Sequence, residues 1–329
     1  MSEPGSGSTT VVAVLTYRRV GLLSGLLADL VAQAATVTPA ATVLVVDNDP
    51  EGSAADVVLG WAERGVQYVH EPRPGISAAR NRALTEAAHA DALIFFDDDE
   101  QPCPGWLARI VAAWREWGCA AVAGPVGARL TVPVDPWILG TGVFDRPTRP
   151  TGTSVRGAGA GNLLLDLRRV RELGLRFDER LGLTGGEDTL FTHALVRAGS
   201  EIRWCDEAEA LEHVPAERLT RRWVLRRCFR SAGSWSRAEV LLARGRAGRW
   251  RVRTSIVAKA AVRLLQALLA LAGATLTGRV GARGRATGTL ASYAGLVVGA
   301  FGWTVGEYAR PQATALPSAV PEADRATSR

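Results

Sequence analysis

Lysine is almost missing from this 329-residue chain: of its 39 lysine and arginine residues, only Lys259 is a lysine. A net charge of +6 would ordinarily raise nucleic acid as a partner. Arginine used in place of lysine throughout, beside abundant alanine and glycine, marks genome composition, although that does not account for the positive balance itself; no nucleic-acid partner is expected. Cysteine is equally sparse. Cys103, Cys119, Cys205 and Cys228 show no Cys-x-x-Cys spacing, which argues against a zinc ribbon or a disulfide framework and for reduced thiols inside a cell. The first ten residues form a polar Gly/Ser stretch without the apolar core of a signal peptide, so residues 1–10 are expected to be a disordered tail. No internal repeat is evident. The length suits one large domain with an appendage.

What is abundant is acid in one place. Ala92–Phe96, five apolar residues, runs directly into Asp97-Asp98-Asp99-Glu100. The apolar part has the length of a buried strand. Four adjacent carboxylates repel one another unless solvent or a cation answers them. At the carboxyl end of a strand in an open α/β sheet, where ligands bind, the expected cation is Mg²⁺ or Mn²⁺ shared with substrate phosphates. A solvated acidic turn is the other reading of this run taken alone.

The chain before it alternates. Val11–Thr16, Ala41–Val46 and Val66–Val69 read as strands, separated by helical patterns over Leu22–Ala34 and about Ala54–Arg64. A further helix over Ser77–Ala88 follows Pro72–Gly75, with Ser77 at the N-cap position. Trp106–Trp117 reads as a helix and Ala120–Val126 as a fifth strand. Such alternation implies an α/β fold with a mostly parallel central sheet flanked by helices. Three of its strands then end in Thr16, Asp47 and Asp97–Asp99, which a parallel sheet gathers at one rim.

Residues 127–156 read as a long excursion, which in a compact domain is usually functional. Gly157-Ala158-Gly159-Ala160-Gly161 precedes an apolar run, Leu163–Leu165. A dinucleotide fingerprint would follow the first strand and open a helix, so this is read as a loop where backbone approaches a ligand. Gly185-Gly186-Glu187-Asp188 sets two carboxylates at the start of a helix, about Glu187–Ala198, where capping alone is the plainer explanation. A strand over Glu201–Trp204 and the stretch Glu212-His213-Val214-Pro215 follow. Arg218, Arg222, Arg226 and Arg230 then form a stripe at four-residue spacing, with Val224, Cys228, Ala232 and Trp235 expected inward. Diphosphate, anionic lipid headgroups or plain solvation all remain open for that stripe.

From Trp250 the chain turns hydrophobic. Ile256–Leu276 carries Lys259, Arg263 and Gln266 as one polar stripe on an apolar helix, the pattern of a helix lying in a membrane interface. Thr287–Gly306 holds no charge over nearly a bilayer's thickness, and either spans or packs on the domain. Residues 246–310 are therefore expected as a helical, membrane-associated extension, and 311–329 as a disordered tail.

Taken in order, Val14–Arg19, Val45–Asn48, Gly75–Leu84 with Ala79-Arg80-Asn81, Phe96–Asp99 and Gly186-Glu187-Asp188 resemble the motifs of family 2 glycosyltransferases. The resemblance covers roughly residues 10–235. Glu71–Arg82, Asp97–Glu100 and Glu212–Arg218 look most like the glucosyltransferases of succinoglycan-type exopolysaccharide assembly. It implies the GT-A fold over residues 11–245 and inverting, metal-dependent transfer of one hexose from a nucleotide-sugar donor. UDP-glucose is the first expectation, with UDP-galactose, GDP-mannose and dTDP-rhamnose as alternatives. The implied acceptor is a lipid-linked glycan at the cytoplasmic face of the membrane, which residues 250–308 would touch.

Carried across, Thr16, Asp47 and Arg80 would contact the base, with Tyr17, Arg18, Asn81 and Asp98 beside them in the nucleotide-sugar site. Asp97 would lie near the ribose and share the metal, Mn²⁺ or Mg²⁺, with Asp99. Asp188 would be the general base, Glu187 would orient it or the acceptor, and His213 would add a metal or diphosphate contact. Processive members carry Gln-x-x-Arg-Trp. Leu219 stands at the glutamine position before Arg222-Trp223, which favours single-sugar transfer. Two other classes compete. A nucleotidyltransferase would want a glycine-rich phosphate loop after the first strand, which Thr16–Arg19 is not. A non-catalytic sugar-nucleotide sensor would not need Asp97, Asp99 and Asp188 intact.

Overall fold

The computed structural model describes residues 7–303. The strands are β1 (Thr10–Thr16), β2 (Thr42–Asp47), β3 (Val66–His70), β4 (Ala92–Asp97), β5 (Glu100–Pro102), β6 (Ala121–Ala123), β7 (Val126–Leu130), β8 (Ser154–Val155), β9 (Asn162–Asp166), β10 (Ile202–Trp204) and β11 (Ala210–Val214). The helices are α1 (Val20–Ala34), α2 (Ala55–Leu59), α3 (Ile76–Glu86), α4 (Trp106–Trp117), α5 (Pro136–Gly140), α6 (Leu167–Glu172), α7 (Glu187–Arg197), α8 (Arg221–Leu241), α9 (Gly245–Leu276) and α10 (Val280–Ala300). β1 already begins at Thr10, so the expected ten-residue tail is shorter inside the described residues; positions 1–6 and 304–329, with the rest of both tails, lie outside them.

Eight strands form one sheet in the order β3-β2-β1-β4-β9-β6-β10-β8. β3, β2, β1 and β4 run parallel, as do β6 and β10. β9 lies antiparallel between β4 and β6. A second sheet, β5-β11-β7, stands beside the first. Successive side chains on a strand face opposite ways, and this divides the core in two. Val12, Val14, Val45, Ile94 and Phe96 meet Leu23, Leu27 and Leu30 of α1 and Trp106, Ile110 and Trp114 of α4. Ala13, Leu44, Val46, Leu93 and Phe95 meet α3, α6 and α7 on the other face. Phe96 packs edge-on against Trp106 at 4.6 Å, and Phe95 edge-on against Phe177 at 5.5 Å.

Several expected elements end elsewhere. The fifth strand breaks after Ala123: Gly124 N still donates to Asn162 O of β9 at 3.1 Å, but Pro125 has no N–H to continue the ladder. The chain therefore leaves the large sheet and resumes as β7 in the small one. The helix expected over Ala54–Arg64 closes at Gly60, leaving α2 and a single 3₁₀ turn at Ala62–Arg64. Ser77 does not cap α3. Gly75 holds that place at φ 114°, and Ser77 Oγ donates to Asp178 O at 2.9 Å.

The C-terminal helices are held by close backbone approach. A side chain at Gly295 would fall 2.0 Å from Phe229 O of α8, and one at Gly299 would fall 2.2 Å from Gly233 O. Gly284 stands equally tight against Trp137 O of α5. Helices meet this closely only where small residues line the seam. Of the two readings of Thr287–Gly306, packing on the domain is therefore the one realised over the described part. Gly233, Ser236 and Val240 form the inward side of α8, whereas Trp235, expected inward, is 44% exposed.

Candidate active site

Registry delivers the rim. Thr16 pairs with Asp47 across β1 and β2, and Leu15 pairs with Asp97 across β1 and β4. The acid run therefore lies beside the end of β1. Thr16 Oγ1 donates to Asp98 Oδ2 at 2.9 Å, and Arg19 Nη1 donates to Asp98 Oδ1 at 2.8 Å and Asp99 Oδ2 at 3.1 Å. Thr16 thus grips an acid of the run.

Burial raises the carboxyl of Asp97 to about 7, with Arg80 opposing and Asp99 and Asp98 adding to the rise. Burial likewise lifts Asp98, against Arg19 and Thr16. Glu100 is pushed well above its ordinary value by burial and by Asp97, Asp99 and Glu212. Its Oε2 is buried without a hydrogen-bond partner. Glu212 stands opposite Glu100 across β11 and β5. Arg218 ties Glu212 to the cluster, bonding it through Nη1 and reaching Asp99 Oδ2 at 3.2 Å through Nη2.

Among the described residues, no three His, Cys, Asp or Glu side chains converge into a ready metal cage. Mg²⁺ or Mn²⁺ shared between one or two carboxylates and a diphosphate needs no cage. Asp97 and Asp99, beside the orphaned oxygen of Glu100, are a donor set that fits such sharing. His213 contributes its backbone N–H to Asp99 O at 3.0 Å. Strand alternation puts its ring on the face opposite that of Glu212.

The other nucleotide residues divide. Arg18, at φ 54° in the left-handed region, turns the chain out of β1 and bonds Asp49 Oδ1 at 3.1 Å and Glu51 Oε1 at 3.3 Å. Its guanidinium lies 5.5 Å from the Tyr17 ring. Burial opposes ionisation of Asp49, yet hydrogen bonds from Ser53 and Arg18 hold its carboxyl below the ordinary value. Asp47, fully buried, accepts the backbone N–H groups of Asp49 at 3.0 Å and Ala54 at 2.8 Å and the Tyr68 hydroxyl at 3.3 Å. Those bonds tie its oxygens to the turn after β2. Asn81 is likewise tied, bonding Phe177 N and Phe177 O at 2.9 Å each. Arg80 is 4% exposed, bonds Glu187 Oε1, and lies 5.9 Å and 5.5 Å from the rings of Phe95 and Phe177. Its charge also acts on Asp97 of the acid run.

Asp188 stands at the first turn of α7. Gly185 and Gly186, at φ 79° and 90°, turn the chain through the left-handed region just before it. Thr189 N donates to Asp188 Oδ1 at 2.6 Å. The Gly157–Gly161 loop bridges the two acidic groups. A side chain at Gly159 would meet Asp188 Oδ2 at 3.6 Å, and one at Gly161 would meet Glu100 Oε1 at 2.5 Å and Asp97 Oδ2 at 2.9 Å. Bare backbone thus lines the stretch between the acid run and Asp188. Glu100 belongs to the expected acid run and Arg218 to the arginine stripe for which diphosphate was one reading, whereas Arg19 and Glu212 were read only inside quoted motifs.

The glycosyl transferase family 2 profile matches residues 11–154. The succinoglycan biosynthesis protein ExoM of Rhizobium meliloti is 36% identical over 246 residues, 73% of this chain and 78% of ExoM. The chain belongs to glycosyl transferase family 2. It is a glycosyltransferase of that family, similar to exopolysaccharide-type members. The hyaluronan synthase of Pasteurella multocida is 27% identical over 62% of this chain, which spans 24% of that enzyme. A mannosyltransferase from Pyrobaculum calidifontis, solved with GDP-Man and Mn²⁺, superposes with a TM-score of 0.61 at 19% identity, over 90% of this chain and 88% of its own. TarS of S. aureus gives a TM-score of 0.52 at 16% identity over 72% of this chain, which spans 40% of that structure. These structural likenesses establish the GT-A-type fold.

Proposed function

We propose that the chain transfers a single hexose, with inversion, from a nucleotide donor to a lipid-linked glycan of an exopolysaccharide pathway, at the cytoplasmic face of the membrane. The observation that carries this is the glycine loop: Gly161 lies on Asp97 and Gly159 on Asp188, so donor carboxylates and a free carboxylate oxygen face one backbone path. Asp97 and Asp99 would hold Mn²⁺ or Mg²⁺, which when bound offsets charge building on the nucleoside diphosphate. Arg19 and Arg218, already on the carboxylates, bring further positive charge to the same place. Asp188 takes the proton of the acceptor hydroxyl through Oδ2 as its oxygen attacks the anomeric carbon from the side opposite the diphosphate. One base suffices for such a direct displacement, unlike the carboxylate pair of a glycosidase. UDP-glucose is our first donor, from the motif resemblance to glucosyltransferases of succinoglycan-type assembly; GDP-mannose is the alternative that the GDP-Man complex of the Pyrobaculum enzyme suggests. Exposed apolar surface on α9 supports the membrane location.

The test is a donor screen on the purified chain, reading nucleotide release with Mn²⁺ or Mg²⁺ and with EDTA. We expect slow hydrolysis of one nucleotide hexose, abolished by EDTA. Asp188→Asn is expected to lower transfer by roughly 10²–10⁴-fold, while calorimetry still finds UDP bound. Transfer left intact in both Asp188→Asn and Asp99→Ala would refute the mechanism.

A further inference from the structure

Between positions 240 and 306 the chain carries ten lysine or arginine residues and no aspartate or glutamate. α9 packs on α10 through a stripe of Ile256, Ala260, Ala267 and Ala274. Its opposite side is bare: Val262, Leu265, Leu268, Leu269 and Leu276 are each more than half exposed. α9 is the one described helix long and apolar enough to cross a membrane. To cross, it would have to leave α10, which the glycine seams fix to α8 and α5. Lying along the surface of a bilayer lets it keep both contacts.

Beside that bare face, between α9 and α10, opens a groove of about 660 Å³. Arg263, Gln266, Arg285, Thr289 and Tyr293 line it over Ala267. Arg263 Nη1 donates to Gln266 Oε1 at 3.2 Å, a neutral partner that leaves its charge unanswered by any acid on either helix. Two guanidinium groups, the Tyr293 hydroxyl and the Gln266 amide facing one hollow match a phosphate group; the Thr289 hydroxyl is engaged, donating to Arg285 O at 2.9 Å. The small floor leaves room for it.

We propose that this groove binds the phosphate of an anionic phospholipid whose acyl chains lie along Val262, Leu265 and Leu269. The proposal rests on the membrane location proposed above and adds a specific headgroup site to it. Anionic lipid attracts each nearby arginine by a modest amount, and two on one phosphate favour the lipid whose headgroup brings no ammonium to compete with them.

The experiment is co-sedimentation of the full chain with vesicles of phosphatidylcholine alone and of phosphatidylcholine with phosphatidylglycerol. The wild type is expected to prefer the anionic vesicles. Arg263→Gln with Arg285→Gln should remove roughly 10- to 30-fold of that preference and leave binding to neutral vesicles unchanged. Arg246→Gln with Arg249→Gln, which deletes equal charge elsewhere on α9, should remove clearly less. Leu265→Ser with Leu269→Ser should weaken binding to both vesicles and keep the preference. Equal loss in the two arginine pairs would reduce the effect to diffuse attraction and overturn the headgroup site. So would equal wild-type binding to both vesicles, with the membrane location still standing. No binding to either vesicle would remove the membrane location and this site together. Inorganic phosphate binding without vesicles, lost in the Arg263/Arg285 pair, would make it a soluble-anion site and also overturn the proposal.

Discussion

Arg80 and Glu187 join α3 to α7 beneath the site, both nearly sealed from solvent. A buried pair costs desolvation on both sides, so removing one partner leaves a bare charge worth about 3–5 kcal/mol of destabilisation. Arg80→Met and Glu187→Gln should each lower denaturation stability by that order. Arg80→Met combined with Glu187→Leu should recover most of it, which a double-mutant cycle in urea will read. Another buried contact gives a pH signature. His193 Nδ1 lies 2.9 Å from Glu239 Oε1, and this hydrogen bond, with Arg197, holds Glu239 below its ordinary 4.5 against burial. A lowered carboxyl stabilises the fold above its ordinary value, and that stability disappears as pH falls through the folded one. Glu239→Gln should therefore lower Tm at pH 7, by the equivalent of about 1 kcal/mol, with the deficit closing below pH 4.5 in thermal melts.

At the scale of elements, the seam between α8 and α10 leaves no room for even a methyl group. Gly295→Ala should drive Cβ into Phe229 O and lower Tm by several degrees, whereas Gly273→Ala on α9, with nothing within 4 Å, should leave Tm level or raise it. Elements were also the scale at which the sequence was most readable. β1, β2 and β4 and the helices between them follow from hydrophobic period, and a parallel sheet brings their ends together without further information. α4 was legible to the residue. β9 was not, because an apolar run such as Leu163–Leu165 carries no direction, and its antiparallel place depends on neighbours far along the chain. Side-chain destinations were harder still. Asn81 is committed to Phe177, 96 residues away, and Arg80 to Glu187, 107 residues away. Asp47 turns inward because it closes its own local turn, which the strand pattern alone does not reveal. Asp188 and the Gly157–Gly161 loop were foreseen as separate features, and their meeting is a property of the fold.

For the molecule as a whole, α10 is a cover for α8 as much as an extension. A chain ending before residue 244 would bare Gly233, Ser236 and Val240 along α8, and we expect it to aggregate on size-exclusion chromatography where the full chain does not. The acid-free run from 240 to 306 has a consequence beyond the lipid groove. The net charge of +6 is a +10 segment set against −4 elsewhere, so the molecule is an electric dipole. Near an anionic surface it experiences a torque before it makes contact. It should therefore arrive already turned, its helical pair leading, and its association rate should fall steeply as salt shortens the reach of that torque.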